Sequence, residues 1–285
     1  MKKGKEFYRE LQPLMKCKDH TVSKEFFELL KNEKYKLLVT LPVPTNLENY
    51  YKSEKYISHT NSKKSPFDTV YQIVRRYTLK KKLILINSFN TKEKTILDVG
   101  AGTGDFLNTC KKNGWRVRGI EPSADARSKA LETGIQLEKD LFLLTPRSFD
   151  VITLWHVLEH VVDLKEYIQQ IKKLLKPNGV LLIAVPNYKS YDALFYKEHW
   201  AAFDVPRHLW HFSQFSIQKL FNEVDMKVVK TKPMLFDSYY VSLLSEKYTA
   251  GFMNPIKAFY VGFLSNLKAR RSSEYSSLIY IIKNL

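Results

Sequence analysis

The chain has 285 residues, 44% of them hydrophobic and 13% aromatic, enough to bury a full core with room for one large domain and a cap. Its two cysteines, Cys17 and Cys110, lie far apart and outside any C-x-x-C spacing, which excludes a disulfide framework and a cysteine zinc site. The formal charge of +17 is mostly lysine spread along the chain, densest only in short runs such as Lys80-Lys81-Lys82 and Arg270-Arg271, and this reads as a solvated basic surface rather than a nucleic-acid site.

The start, MKKGKEFYRE, has no apolar segment behind it, and no run approaches the roughly 18 apolar residues of a membrane span, so a cytoplasmic protein is expected. Residues 1–66 have mixed polarity, several tyrosines and the turn-rich stretch LPVPTNLENYY, and read as an N-terminal cap. From Phe67 to Phe89 apolar residues recur at Val70, Ile73, Val74, Tyr77, Leu83 and Ile86, the spacing of a helix. Cap and lead-in helix together are expected over 1–88.

Four apolar runs follow, TILDVGAG, WRVRGIEPS, FDVITLW and GVLLIAVPN, with helix-length segments between them. Strands alternating with helices predict a parallel sheet covered on both faces. Next come a helix in SQFSIQKLFNEVD with Ser213 as N-cap, a strand in MKVVKTKPM and, at the end, SSLIYIIK. The main domain is expected over 89–235 with 275–285, and 236–274 as a helical insertion before the last strand. In the insertion, Pro255 suits a first helical turn, and Ile256, Phe259, Tyr260, Phe263, Leu264 and Leu267 form one apolar face. That face is expected to pack on its own domain; the alternative is a basic amphipathic helix on a membrane.

The segment ILDVGAGTGDF, residues 96–106, is a strand entering a glycine-rich turn that opens a helix at Asp105, where a ligand can approach bare backbone. The second strand ends in Gly119-Ile120-Glu121-Pro122, about 20 residues after the first glycine, where a carboxylate can accept both ribose hydroxyls of a nucleoside. A nicotinamide fingerprint needs a small residue at position 105, and this chain has Asp105. With Asp98 before it, the spacing G-x-G-x-G resembles the S-adenosylmethionine site of class I methyltransferases. FDVITLWHVLEHVVD and LLKPNGVLLIAVPN resemble the fourth and fifth strands of the ubiquinone-biosynthesis O-methyltransferase type, and the likeness covers residues 90–232.

The resemblance implies a Rossmann-like α/β doubly wound sheet of seven strands, mostly parallel with an antiparallel last strand. It implies S-adenosylmethionine as cofactor, S-adenosylhomocysteine as product, and binding residues Asp98, Gly100, Ala101, Gly102, Gly104, Glu121, Pro122, Asp140 (by the adenine), and Trp155 and His156 (by the sulfonium). His156, Glu159 and His160 also spell H-x-x-E-H, a zinc-peptidase signature that needs both histidines on one helical face. Here a strand precedes them and separates the two rings, so no metal is expected.

Ligands of open parallel sheets bind outside the carboxyl ends of the strands, which places residues 187–212 over the cofactor. That segment is aromatic and carries His199, Asp204, Arg207, His208 and His211, the makings of a small-molecule pocket. His208 is expected to take the proton of an acceptor hydroxyl, with His199 and His211 behind it, and Arg207 to orient an anionic acceptor or pair with Asp204. The expected function is O-methylation of a small molecule. Its alternatives are an RNA-binding methyltransferase-like protein and a catalytically silent cofactor-binding module.

Overall fold

A computed structural model describes residues 5–51 and 66–285, with side chains of the lead-in helix described from residue 72 onward; that of Val70, one of the expected apolar positions, lies outside the described ones. The cap is an antiparallel meander of β1 (Leu11–Lys18), β2 (Phe26–Asn32) and β3 (Leu37–Leu41). The buried Asp19 carboxylate closes the first turn by accepting from the amides of Thr21 at 2.7 Å and Ser23 at 2.6 Å. The meander is buried on both faces, with Leu37 and Val39 in one apolar cluster and Phe27, Leu29 and Leu38 in another.

After α1 (Pro66–Asn87) the chain alternates as its apolar runs require: β4 (Thr95–Val99), α2 (Asp105–Lys111), β5 (Arg116–Ile120), α3 (Ala124–Glu132), β6 (Phe149–Trp155), α4 (Leu164–Leu174) and β7 (Leu175–Pro186). Then come α5 (Tyr191–Tyr196), the two-residue β8 (Trp210–His211), α6 (Gln214–Asn222) and β9 (Met226–Pro233). Helices α7 (Asp237–Ala250) and α8 (Pro255–Ser272) precede the final β10 (Ser277–Asn284). The main sheet runs β5-β4-β6-β7-β10-β9, with β4, β5, β6 and β7 mutually parallel and β10 antiparallel to both its neighbours. Ile96, Leu97, Val99, Val151, Ile152, Leu154, Leu181, Leu182 and Ile183 are buried, so the central strands are covered on both faces.

Among the described residues the sheet has six strands rather than the expected seven. At the outer edge, beside β5, Glu138 makes an isolated parallel bridge to Ile120 in place of a further strand. The reason is local: QLEKD is squeezed between the turn at Gly134 and a tight turn capped by Asp140, whose carboxylate accepts from the Phe142 amide at 2.9 Å. A short, charged edge also resists pairing with another chain.

Ser213 caps α6 reciprocally with Ser216, and Asn254 caps α8 with Pro255 in its first turn. The cap sheet gains a fourth strand from residues 187–212, referred to below as the lid, as β8 pairs with β3. In α8 the expected packing is reversed. The helix buries Ala258, Val261, Gly262, Ser265 and Ala269, while Ile256, Phe259, Tyr260, Phe263 and Leu267 stay exposed. Gly262 sets this arrangement: a Cβ there would lie 3.0 Å from the backbone of Tyr239, so small residues let α7 and α8 approach closely.

Candidate functional site

The carboxyl ends of β4, β5 and β6 open on one side of the sheet. After β4 the chain turns through Gly100, Gly102 and Gly104, all at positive φ. A Cβ at Gly100 would sit 2.4 Å from Val157 Cγ2, whereas one at Gly102 would meet nothing within 4 Å. Gly100 is therefore required by packing, and Gly102 lines empty space. At the end of β5, Glu121 accepts from the Gly102 amide through Oε2 and from the Ser123 amide through Oε1, each at 2.9 Å. The acid and the glycine turn, 19 residues apart, are thereby brought into contact. Pro122 follows, and Arg127 holds the carbonyls of Glu121 and Pro122 at 2.7 Å each. Ala101 lies in the same turn, its amide bonded to the Ile120 carbonyl at 2.9 Å.

Close to the turn, the buried Asp98 and the half-buried Lys82 attract one another electrostatically. Asp98 accepts from the Thr153 hydroxyl at 2.6 Å, and burial lifts its carboxyl to about 7 despite that bond. Lys82, from α1, stands 4.0 Å from the Trp155 ring centroid, and burial pulls its ammonium down to about 8 against the attraction of Asp98 and Asp237. The Trp155 indole crosses Phe106 edge-on, and its N–H is buried without a partner. Lys82 escaped the sequence reading because it sits in a lysine run. Its helical spacing, four residues before the buried Ile86 and three after Leu79, was the available signal.

His156 leaves β6 at a φ of 56°. Its Nε2 lies 3.2 Å from Asp237 Oδ2 and its Nδ1 3.3 Å from Glu159 Oε1. Burial alone would lower its pKa, but the two carboxylates outweigh that and raise it to about 10, so the ring is cationic at neutral pH. Glu159 is fully buried, whereas His156 is about a third exposed; burial would raise the Glu159 pKa, and His156 with the neighbouring histidines holds it at about 2. Asp237 is a second residue of the candidate site that the sequence did not reveal, since it lies in α7 and meets the end of β6 only through folding.

The H-x-x-E-H histidines part company: His160 turns to Tyr51 and to the Arg207 carbonyl, 3.0 Å from its Nδ1. Burial and the nearby His208 hold its pKa near 4. Glu159, His160 and His208 nonetheless bring one ligand-capable atom each within 4.8 Å of one another. The grouping joins the end of β6 to the lid.

In the lid, Asp204 is the organiser. Arg207 binds its Oδ1 at 2.6 Å, so the second of the two expected roles for Arg207 is the one observed. His208 Nδ1 lies 2.8 Å from the Ala202 carbonyl, which can only accept, so Nδ1 carries the proton and Nε2 of the neutral ring is the basic atom. That Nε2 is 3.7 Å from Asp204 Oδ2, and the His208 ring meets His160 edge-on at 4.5 Å. His211 belongs to the β3–β8 ladder; its Nε2 is 2.9 Å from the Thr40 hydroxyl, and burial drives its pKa well down. His199 is not gathered with the other two. It lies beside His20 of the cap, with ring centroids 6.1 Å apart, near Glu198. Asp140 caps its own turn at the sheet edge.

A family model described as a methyltransferase domain matches residues 71–231. A ubiquinone biosynthesis O-methyltransferase from Actinobacillus pleuropneumoniae serotype 7 is 30% identical over 188 residues, 60% of this chain and 79% of that protein. A protein of the same name from Histophilus somni is 40% identical over 109 residues, 33% of this chain and 46% of that protein. Among solved structures, the magnesium protoporphyrin IX methyltransferase of Synechocystis PCC 6803, with bound S-adenosylhomocysteine, shares the fold. It has a TM-score of 0.55 at 14% identity and covers 83% of this chain and 97% of that one.

Proposed function

The chain belongs to the class I S-adenosylmethionine-dependent methyltransferases, and from that premise we propose that it methylates a hydroxyl of a small-molecule acceptor held between the end of β6 and the lid. The observation that carries this reading is the junction of Glu121 with the Gly102 amide beside open space, at the carboxyl end of a parallel sheet. The residues present fit the cofactor. A carboxylate oxygen has two lone-pair sites, so Glu121 keeps acceptor capacity for ribose hydroxyls after bonding two amides. The backbone at Gly100, Ala101, Gly102 and Gly104 would lie along the amino-acid portion. Lys82, over the Trp155 ring, would face its carboxylate.

S-adenosylmethionine supplies an electrophilic methyl group on sulfur, so the protein has to orient the acceptor and manage its proton. His156 is cationic and pinned by Asp237 and Glu159. It acts through its charge, favouring the oxyanion of an acceptor hydroxyl placed against it. His208 Nε2, the basic atom of its tautomer, takes the proton. His211, tied to Thr40, and His199, beside the cap, support the lid's shape in this reading. A hydroxyl acceptor also agrees with the O-methyltransferase names of the two relatives.

The test is release of S-adenosylhomocysteine, followed by mass spectrometry, over panels of phenols, aliphatic alcohols and amines. Turnover on hydroxyl compounds that disappears in His208→Ala supports the reading. Turnover confined to amines overturns it.

A further inference from the structure

The α7–α8 hairpin is built inside out. A helix on a soluble domain normally turns its large apolar residues inward and its small or polar ones outward. Helix α8 does the opposite: Ile256 is 83% exposed, Phe259 63% and Tyr260 61%, while its buried stripe is alanine, glycine, valine and serine. The turn joining the two helices adds Phe252, 62% exposed, and Met253. Leu194 and Phe195 of α5, also exposed, extend the surface, with the Lys257 ammonium 5.8 Å from the Phe195 ring centroid. An apolar face of this extent marks a contact surface.

Charge says what it contacts. Helix α8 carries Lys257, Lys268, Arg270 and Arg271 and no acidic residue. The acids of α7 are committed elsewhere, Asp237 to His156 and the buried Glu246 to Lys257 and Tyr196. Large aliphatic and aromatic side chains rimmed by cations, on a helix lying flat, match the boundary of an anionic bilayer, where the rings settle at headgroup depth and the cations meet phosphate. No helix among the described residues is long and apolar enough to cross a membrane, which agrees with a surface contact. A second copy of the chain fits poorly, because a two-fold pairing of this face would bring Lys268, Arg270 and Arg271 of one α8 towards the cations of the other, with no acidic residue on either helix to offset them.

We infer that the α7–α8 hairpin seats the protein on the surface of an anionic lipid bilayer, with the turn at Phe252 and Met253 and the outer face of α8 as the contact. The inference does not depend on the identity of the methyl acceptor. It has a structural consequence all the same: the hairpin that meets the lipid also places Asp237 on His156, so the cleft is held beside the bilayer.

Vesicle flotation tests it, with phosphatidylcholine alone and with phosphatidylcholine and phosphatidylglycerol in equal parts. The protein should float with the anionic vesicles only, and less as salt is raised. The pair Ile256→Glu and Tyr260→Glu should weaken that binding by about tenfold or more, and Arg270→Gln with Arg271→Gln by about tenfold or more. Both variants should bind S-adenosylhomocysteine as the parent does, which certifies their fold; should the first not fold, the second, at the exposed end of the helix, still decides. Flotation indifferent to lipid charge, or unchanged in the variants, overturns the inference. So does a protein that stays off both vesicles but forms a dimer in sedimentation that Ile256→Glu and Tyr260→Glu dissolve.

Discussion

Replacing Glu121 by alanine separates what that carboxylate does for the fold from what it does for the cofactor. In the structure it accepts from two amides, those of Gly102 and Ser123, at 2.9 Å each. The Ser123 amide is exposed and the Gly102 amide half-buried, so water replaces much of what is lost and the fold should give up about 1 kcal/mol. For a chain of this size that is a fall in Tm of about 2 to 4 °C. The cofactor stands to lose more. A hydrogen bond to a charged group contributes about 1.5 to 3 kcal/mol, which converts to a Kd for S-adenosylhomocysteine raised about ten- to 150-fold. Calorimetric titration reads this directly, with Glu121→Gln falling between parent and alanine because one acceptor oxygen survives. Equal affinity in parent and Glu121→Ala would remove the carboxylate from the site and refute the reasoning. A collapse of Tm well beyond the stated range would show that the residue serves the turn rather than the ligand.

The two glycines should respond oppositely. Gly100→Ala, with its Cβ 2.4 Å from Val157 and φ at +72°, should cost about 1 to 3 kcal/mol of stability by thermal unfolding. Gly102→Ala meets no protein atom, so it should lose only about 1 kcal/mol from its positive φ while cofactor binding by calorimetry falls sharply. His156 has a folded pKa of about 10, above its ordinary 6.5, so its contribution to stability is full below pH 6.5 and fades as pH rises towards 10. The Tm gap between parent and His156→Gln should shrink across that window; a constant gap would deny the double ion pair. His208→Ala should lower turnover about a hundredfold or more with cofactor affinity intact. Arg207→Ala should then act mainly through the lid, by way of Asp204. Steady-state kinetics that leave turnover unchanged in His208→Ala would remove it as the base.

Much of the main domain was written in local pattern. The alternation of apolar runs with helical segments determines parallel strands buried on both faces, because no other arrangement covers TILDV, FDVIT and VLLIAV at once. The glycine turn and the acid at the end of the next strand were legible for the same reason: each is a short-range demand, one on backbone φ and the other on strand register. Ser213 and Pro255 announced their helix starts through the same local chemistry.

The remaining residues of the candidate site are brought together only by tertiary structure. Lys82 reads as one more surface lysine until α1 packs beside β6 and brings it over Trp155. Asp237 lies 81 residues beyond His156, and only the docking of the insertion makes them a pair that fixes the charge of the ring. His208 and His211 are three residues apart in a segment with no periodicity, yet one approaches Glu159 and the other joins the cap sheet, an outcome set by β8 pairing with β3. The seventh strand failed because its segment was too short and too charged to do more than bridge. The apolar stripe of α8 was visible as a stripe, but its direction was not. Helical spacing says which residues share a face, and only the partner helix says which face is buried; here the close approach of Gly262 to Tyr239 chose the small residues and left the large ones outside.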